Sequence, residues 1–427
     1  MRIINLSSYL SNQIQQLKNG SWRIFFRKLI IIMSSFWAIP CVIIMRLTKH
    51  IVLIRLGRLR SDRIGHFCID AGILYANLND RSNNIIDWYW LYPSRISNQF
   101  WKKMVVRNLP IYTWTYYVDY WNQKIPGGDL HIRDSSHTGR DGDRDIYGSL
   151  SKGYQTMKFL TAENIRAKRW LKRHGWKDGD KFVCFLVRDS SFLNHEYKAN
   201  PYMKLYNKDY NFDYHNYRDT DINTYIDAME WLANNGVWVL RMGKVMAKRV
   251  ESNNPKIIDY SFLSDKNDFM DIWLFAHCTA CISTGTGLDL LSAVYNRPIL
   301  LLNYIPLSYF FSFSPVTHYP KRLVWNKNGR MLNWSEYCKH GYLHNEQYDE
   351  NGINIIDMSS NEILEAVKEF WMKLNYDLVD DAHSLKQQHI FIDIAKKIND
   401  YDKIHGFVHD QSRISTTFLT RNKNWLQ

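Results

Sequence analysis

The signatures of several common chemistries are missing from this chain. It has no Walker loop, no GxSxG elbow, no HExxH pair and no spaced Cys/His set. That removes P-loop phosphate transfer, the hydrolase elbow, zincin-type hydrolysis and zinc-finger sites from consideration. Internal repeats and low-complexity tracts are absent as well. The six cysteines (Cys41, Cys68, Cys184, Cys278, Cys281 and Cys338) do not follow a disulfide-scaffold spacing, so a reducing compartment is expected. Cys278 and Cys281 form a CxxC, but no second pair follows, and His277 precedes them, the wrong order for haem attachment. They read as small core residues at a helix-to-strand junction. Acidic residues are in deficit: 42 Asp and Glu against 55 Lys and Arg leave a net charge of +13. Such an excess can serve nucleic acid, an anionic membrane or phosphorylated substrates. No nucleic-acid module accompanies it, and the basic residues are scattered except near the N-terminus, so nucleic acid is set aside.

Long hydrophobic runs are also scarce. The strongest, Leu29 to Met45 (LIIIMSSFWAIPCVIIM), falls short of the ~20 apolar residues a spanning helix needs. Pro40 is placed to kink it. Arg23, Arg27 and Lys28 come before it, and Arg46, Lys49, Arg55, Arg58 and Arg60 come after. Positive charge on both sides opposes translocation of either flank, and no small-x-small cleavage site follows closely. Residues 1–49 are therefore expected to form a membrane-associating segment, peripheral or monotopic at the cytoplasmic face of the inner membrane. Its basic flanks would lie against an anionic membrane surface. A single span and a buried helix stand as alternatives.

What the chain does have is apolar material, 45% hydrophobic and 15% aromatic over 427 residues, enough for two full domains. His50 to Leu56 (HIVLIRL) reads as a first strand of a doubly covered parallel sheet. A polar loop, Gly57 to His66, and a helix through about Leu78 come next. Ile85 to Leu91 and Val118 to Trp121 read as further strands, Pro126 to Ser151 as a polar rim loop, and Thr161 to His174 as a helix. The turn Trp176 to Asp180 marks a boundary, giving a domain over residues 50–178 and another over 179–427, whose last helices can return to the first. The second half restarts with the strand Lys181 to Val187. Asp219 or Thr220 is placed to cap a helix reaching Asn234. Strands at Val237 to Leu240 and Ile257 to Asp259 and a helix over Asp268 to His277 follow. Strands alternating with helices, twice over, predict an α/β fold of two Rossmann-like doubly wound domains facing a cleft.

In open parallel sheets ligands gather where strands end. The stretch CISTGTGLDLLSAVYNRPILLLN, Cys281 to Asn303, reads as strand, small-residue turn, helix and strand. Ser283, Thr284, Gly285, Thr286 and Gly287 are expected to leave backbone amides bare at a helix start, where an anion is favoured. Asp289, one turn on, is within reach of a ligand seated there. Arg188 and Arg241 each end an apolar strand, and Gly243 and Lys244 follow in the next turn. Arginine forks can grip a diphosphate without help from a metal. Ser190 adds a hydroxyl donor, and Asp189 is placed to orient Arg188. On the opposite side, His66 is a candidate base for an acceptor hydroxyl. Asp134 and the acids of RDGDRD (Asp141, Asp143, Asp145) are rivals. Asp141 and Asp143 also spell a DxD, a pattern that can hold manganese. It does not directly follow a hydrophobic strand and is read as chance.

Seven segments stand in one order: RSDRIGH at 60–66, VRDSSF at 187–192, HNYRDTDI at 215–222, VLRMGK at 239–244, STGTGL at 283–288, RPILLLN at 297–303 and SRISTTFLTRN at 412–422. Together they resemble a family of bacterial glycosyltransferases associated with surface-polysaccharide gene clusters, over most of the chain from about residue 50. The resemblance implies a GT-B-like pair of domains, with the nucleotide-sugar donor on the C-terminal one and the acceptor on the N-terminal one. It also implies no structural need for a metal, with the nucleotide-diphosphate sugar as co-substrate and no other cofactor. Arg188 and Ser190 match its Arg-Asp-Ser position, Arg218 its HxYR position, and Arg241 and Gly243 its Arg-Met-Gly position. No catalytic role transfers with them. The stretch Asn194 to Asn211 matches no part of the pattern. The expected activity is glycosyl transfer from a nucleotide-diphosphate donor to a lipid-linked or surface-polysaccharide acceptor. A sugar-nucleotide epimerase or hydrolase on the same frame, or a non-catalytic envelope scaffold, stands as the alternative.

Overall fold

The structure, a computed structural model, describes residues 26, 30, 33–78, 84–92, 96–133, 144–153, 155–192, 195, 213–376 and 380–427. The N-terminal half runs α1 (Ala38–Leu47), β1 (Leu53–Leu59), α2 (Ile64–Ala76), β2 (Ile85–Leu91), α3 (Gln99–Asn108), α4 (Thr115–Lys124) and α5 (Thr161–Arg173). Strands β1 and β2 pair in parallel, Leu53 opposite Ile85. Single bridges join Leu56 to Ile132 and Tyr89 to Ile111. Pro40 sits near the start of α1, so the helix continues past it. β1 starts three residues later than the apolar run, because Thr48–His50 forms a 3-10 turn first. Consequently Gly57 to Leu59 is strand and not loop.

Val118 to Trp121 is helical, contrary to the strand expected there. Thr115, Val118, Asp119 and Asn122 are the buried positions of α4, a spacing of three and four that a four-residue window cannot show. That face packs α4 on α1 in a small cluster with Ala38, Val42, Met45 and Leu56.

The C-terminal half contains β3 (Phe182–Leu186), α6 (Ile226–Asn234), β4 (Trp238–Arg241), β5 (Ile257–Ile258), α7 (Asp268–His277), β6 (Ala280–Ser283), α8 (Asp289–Val294), β7 (Ile299–Tyr304) and β8 (Val316–Pro320). β9 (Arg322–Trp325), β10 (Ile353–Ile356), α9 (Ser360–Tyr376), α10 (Ala382–Ala395), β11 (Arg413–Ile414) and α11 (Thr416–Arg421) complete it. Seven strands form one parallel sheet in the order β11-β8-β7-β6-β3-β4-β5. The chain builds outward from β3 through β4 to β5, then returns to the other side of β3 with β6. The gap between the carboxyl ends of β3 and β6 is thus the topological switch point. Every residue of β3, β4, β6 and β7 is buried, as a sheet covered on both faces requires. β9 and β10 pair antiparallel outside this sheet.

The two halves share one apolar core, with Phe67 and Trp101 continuous with Trp273 and Leu290. Asn98 caps α3 through the Trp101 amide (2.7 Å), and its side-chain amide donates to the Asp268 carbonyl at 3.0 Å. Helix α2 lies against α8 on two glycines seven residues apart. A Cβ on Gly65 would come 3.0 Å from the Gly287 Cα, and one on Gly72 would come 2.8 Å from the Val294 methyls. The C-terminal segment closes on the large sheet. Glu369 accepts from the Thr416 and Thr417 amides, and Trp425 stacks on Trp334. Phe407 reaches back to Lys152 of the first half.

Candidate functional site

At the switch point the ends of β3 and β6 are tied together. The Arg188 amide donates to Thr284 Oγ1 at 3.0 Å, and the Thr284 amide donates to the Leu186 carbonyl at 3.2 Å. Arg188 Nε donates to Asp219 Oδ1 at 2.9 Å, with the Arg188 side chain only 14% exposed. Burial first, and then the neighbouring charge of Arg218, lowers the Arg188 pKa; Asp219 works the other way. Burial also raises the Asp219 carboxyl, against the pull of Arg188. Asp219 was one of two expected helix caps, but Asp221 does the capping, accepting from the Asn223 amide ahead of α6.

Behind this pair, buried Lys321 donates to the Asp219 carbonyl and to Asp357, both at 2.8 Å. Burial lowers its pKa and Asp357 restores part of the shift.

Arg218 stands beside Arg188 and donates through Nη2 to the Gly285 carbonyl. Among the described residues it has no carboxylate partner, and its Nε is buried without a hydrogen-bond partner. The Tyr304 ring covers Gly285, where a Cβ would come 2.8 Å from Cε2. Asn303 fixes that end of β7 by donating to the Tyr225 hydroxyl and accepting the Met358 amide, both at 2.7 Å.

The turn after β6 differs from the bare-amide cradle expected of it. Asp289 is fully buried and fills the cradle with its own carboxylate. It accepts from Ser283 Oγ (2.7 Å) and from the amides of Thr286 (3.0 Å), Gly287 (2.8 Å) and Leu290 (3.0 Å). The Gly285 amide donates to Ser283 Oγ at 3.2 Å. Carboxylate oxygens satisfy the helix-start donors as well as a phosphate would, and the residue is covalently in place. Gly285 and Gly287 have φ of 78° and 101°, a region costly for other residues. Thr286 Oγ1 is buried and, among the described residues, has no hydrogen-bond partner.

Arg241 also serves inside the fold. Its side chain is 0% exposed, with Nη1 donating to Asp259 at 3.0 Å and to Ser261 Oγ, and Nη2 donating to the Lys248 carbonyl at 3.0 Å. It therefore fastens the loop after β4 to the end of β5, and two of its three nitrogens are committed there. Asp189 fastens the same loop, accepting from the amides of Ala247 and Ser191, both at 2.9 Å, instead of orienting Arg188. Gly243 takes a positive φ at a point where a Cβ would strike Met246. The Lys244 carbonyl receives Lys266 Nζ at 2.8 Å. Ser190 lies in the turn directly after Asp189.

Next to the Arg188 pair a cleft of about 360 Å³ opens at the carboxyl ends of β3 and β4, lined by Asp189, Asp219, Asp221, Arg241, Lys248 and Asp357 among others. A larger open depression of about 830 Å³ runs between Glu230 and Pro255, at the strands' amino-terminal edge, and carries carboxylates and no cation. The smaller cleft is the one with the chemistry.

His66 falls in the first turn of α2, and the Gly65–Gly287 contact sets that turn against the β6–α8 turn. The structure thus joins a residue from the first half to the Thr286–Gly287 backbone. Asp134, Asp141 and Asp143 lie outside the described residues. Asp145 is a buried helix cap, accepting from the amides of Ser149 (2.9 Å) and Leu150 (2.8 Å). Cys184, Cys278 and Cys281 are all buried in the core. Among the described residues, no three His, Cys, Asp or Glu side chains are placed to hold a metal ion. Lys321, Asp357 and Tyr304 complete the site without having stood out in the sequence.

No protein-family model matches the sequence, and no curated protein matches it. Among solved structures the chain is similar to E. coli ADP-heptose lps heptosyltransferase II, at 14% identity over 75% of this chain and 99% of that one, with a TM-score of 0.38. It is also similar to a glycosyl transferase family 9 protein from Veillonella parvula DSM 2008, at 11% identity over 63% and 86%, TM-score 0.36. A third is E. coli heptosyltransferase WaaC with ADP, at 9% identity over 58% and 86%, TM-score 0.26. Likenesses this distant leave the site to be read from its own geometry.

Proposed function

We propose that the chain is a glycosyltransferase that takes a sugar from a nucleotide-diphosphate donor and passes it to a lipid-linked or surface-polysaccharide acceptor at the cytoplasmic face of the inner membrane. The carrying observation is Arg218, a guanidinium without a carboxylate partner among the described residues, standing over the β6–α8 turn at the switch point beside a second guanidinium that has one. Such a group answers an incoming diphosphate and stabilises it as it departs, the main electrostatic task of metal-free glycosyl transfer. Arg188 supports it from behind, and Thr286 Oγ1 adds a hydroxyl donor. The carboxylates lining the adjacent cleft suit the hydroxyls of a ribose or a donor sugar. His66 is the candidate base on the acceptor side. The seven ordered motifs support the same reading, since both guanidiniums and the turn belong to them.

Calorimetric titration of a panel of nucleoside diphosphates into wild type and Arg218→Met tests it. Losing a charge-assisted contact of about 1.5–3 kcal/mol weakens the best binder roughly 10- to 150-fold. Equal affinities in the two proteins would refute the assignment.

A further inference from the structure

The first described helix presents a second apolar face that is exposed and, among the described residues, uncovered. One side of α1 is buried through Ala38, Val42 and Met45. The opposite side exposes Ile43 (50%), Ile44 (60%) and Leu47 (75%), continued by Ile51 (75%) beyond the helix and by Met33, Phe36 and Trp37 before it. A helix apolar on both sides needs cover on both. From Phe36 to Ile51 this stripe is about 22 Å long if helical throughout.

We infer that this stripe, with the aromatic wall beside it, is a docking surface for an anionic lipid bilayer. Three observations favour lipid over a partner helix or a second copy. First, the fifteen residues from Met33 to Leu47 include only one ionic residue, Arg46. A coiled-coil seam is flanked by paired charges instead. Arg46 is itself committed, donating to the Pro126 and Ile125 carbonyls at 2.7 and 2.8 Å. Second, the turn at residues 35–37 breaks the regular helix just ahead of α1, and knobs-into-holes packing needs that helix unbroken. Third, the border is aromatic: Trp37 meets Tyr117 edge-on, Phe36 stacks on Trp121, and half-exposed Tyr112 stacks on Trp114. Tryptophan and tyrosine settle at the headgroup level, one end apolar and the other wet. Exposed Lys49 and His50 lie in the 3-10 turn after α1 and Lys124 ends α4, against the exposed acid Asp129. The excess is positive, as anionic headgroups require.

Cosedimentation of the full chain with sucrose-loaded vesicles tests this without any sugar substrate, so its outcome is separate from that of the transfer reaction. Wild type is expected to pellet with phosphatidylcholine–phosphatidylglycerol vesicles. Ile43→Glu, Ile44→Glu and Leu47→Glu together, all at exposed positions, lower the partition about tenfold or more while leaving the circular dichroism spectrum unchanged. Wild type staying in the supernatant overturns the inference. So does a triple variant that pellets equally. If the triple substitution converts a dimer to a monomer without altering the pellet, the stripe belongs to a second copy and the lipid assignment falls.

Discussion

Replacing Asp289 by alanine is the sharpest probe of how the β6–α8 turn is held. The carboxylate receives three backbone amides and one hydroxyl, at 2.7–3.0 Å, and is fully buried. Each such bond to a charged acceptor contributes about 1.5–3 kcal/mol, but four on one group do not add. Stranding these donors out of reach of water sets the loss at about 3–5 kcal/mol, the upper end of what a single substitution does. The vacated cradle should then take a free anion, since bare amides at a helix start are what phosphate or formate binds. Chemical denaturation in chloride, with and without added phosphate, is the assay. Asp289→Ala is expected to have a much lower midpoint and to regain about 1–3 kcal/mol as phosphate rises well above its dissociation constant, a gain wild type does not share. If Asp289→Ala unfolds at the wild-type midpoint, the carboxylate does not hold the turn. If phosphate stabilises both proteins equally, the cradle is not where the anion goes, and the distinction between a self-filled turn and an Arg218 site fails.

Arg241→Met removes the guanidinium from the Lys248 carbonyl and from Asp259, which keeps only the Val250 amide and the Ser261 hydroxyl, and is expected to cost about 3–5 kcal/mol in urea unfolding; a stable protein with weakened nucleotide binding would instead put Arg241 in the site. Gly65→Val pushes a branched side chain into the Gly287 backbone and is expected to cost about 1–3 kcal/mol, against no change if the halves only touch loosely. His318 accepts the Phe311 amide through Nε2 and donates from Nδ1 to the Arg413 carbonyl, and burial pushes its pKa down to about 3. Its folded pKa lies below the unfolded value near 6.5, so its contribution is whole above that pH and falls as acid is added, by about 2 kcal/mol at pH 5. His277, at about 4, acts in the same direction, while buried Asp271, raised to about 6, opposes both. The test is the difference in slope between wild type and His318→Gln in urea melts from pH 7 to pH 5; identical slopes would refute it.

Much of the α/β frame was legible because doubly covered strands advertise themselves. FVCFL, ACIS and ILLLNY are mostly apolar runs, broken only by Ser283 and Asn303 near their ends, and the sheet buries all of them. The helix at Asp268–His277 was expected with the bounds it has, since polar residues flank it on both sides. Val118 to Trp121 misled because aromatic and β-branched residues suit strands locally, whereas the wider spacing that buries Thr115 and Asn122 belongs to a helix. No helix among the described residues is long and apolar enough to cross a membrane.

The sequence by itself determined which residues would stand at strand ends, since period and punctuation are local: Arg188, Arg241 and the Ser283–Gly287 turn all do. What each side chain does there depended on which charges the fold brought near it. Arg241 met Asp259 eighteen residues on and was committed, and Asp289 reached back to fill the amides of its own turn. Arg218 was left without a carboxylate among the described residues, because Asp219 turned to Arg188. Charge pairing over several ångströms is a property of three-dimensional neighbours, so only the tertiary structure could decide which guanidinium was still available to a ligand.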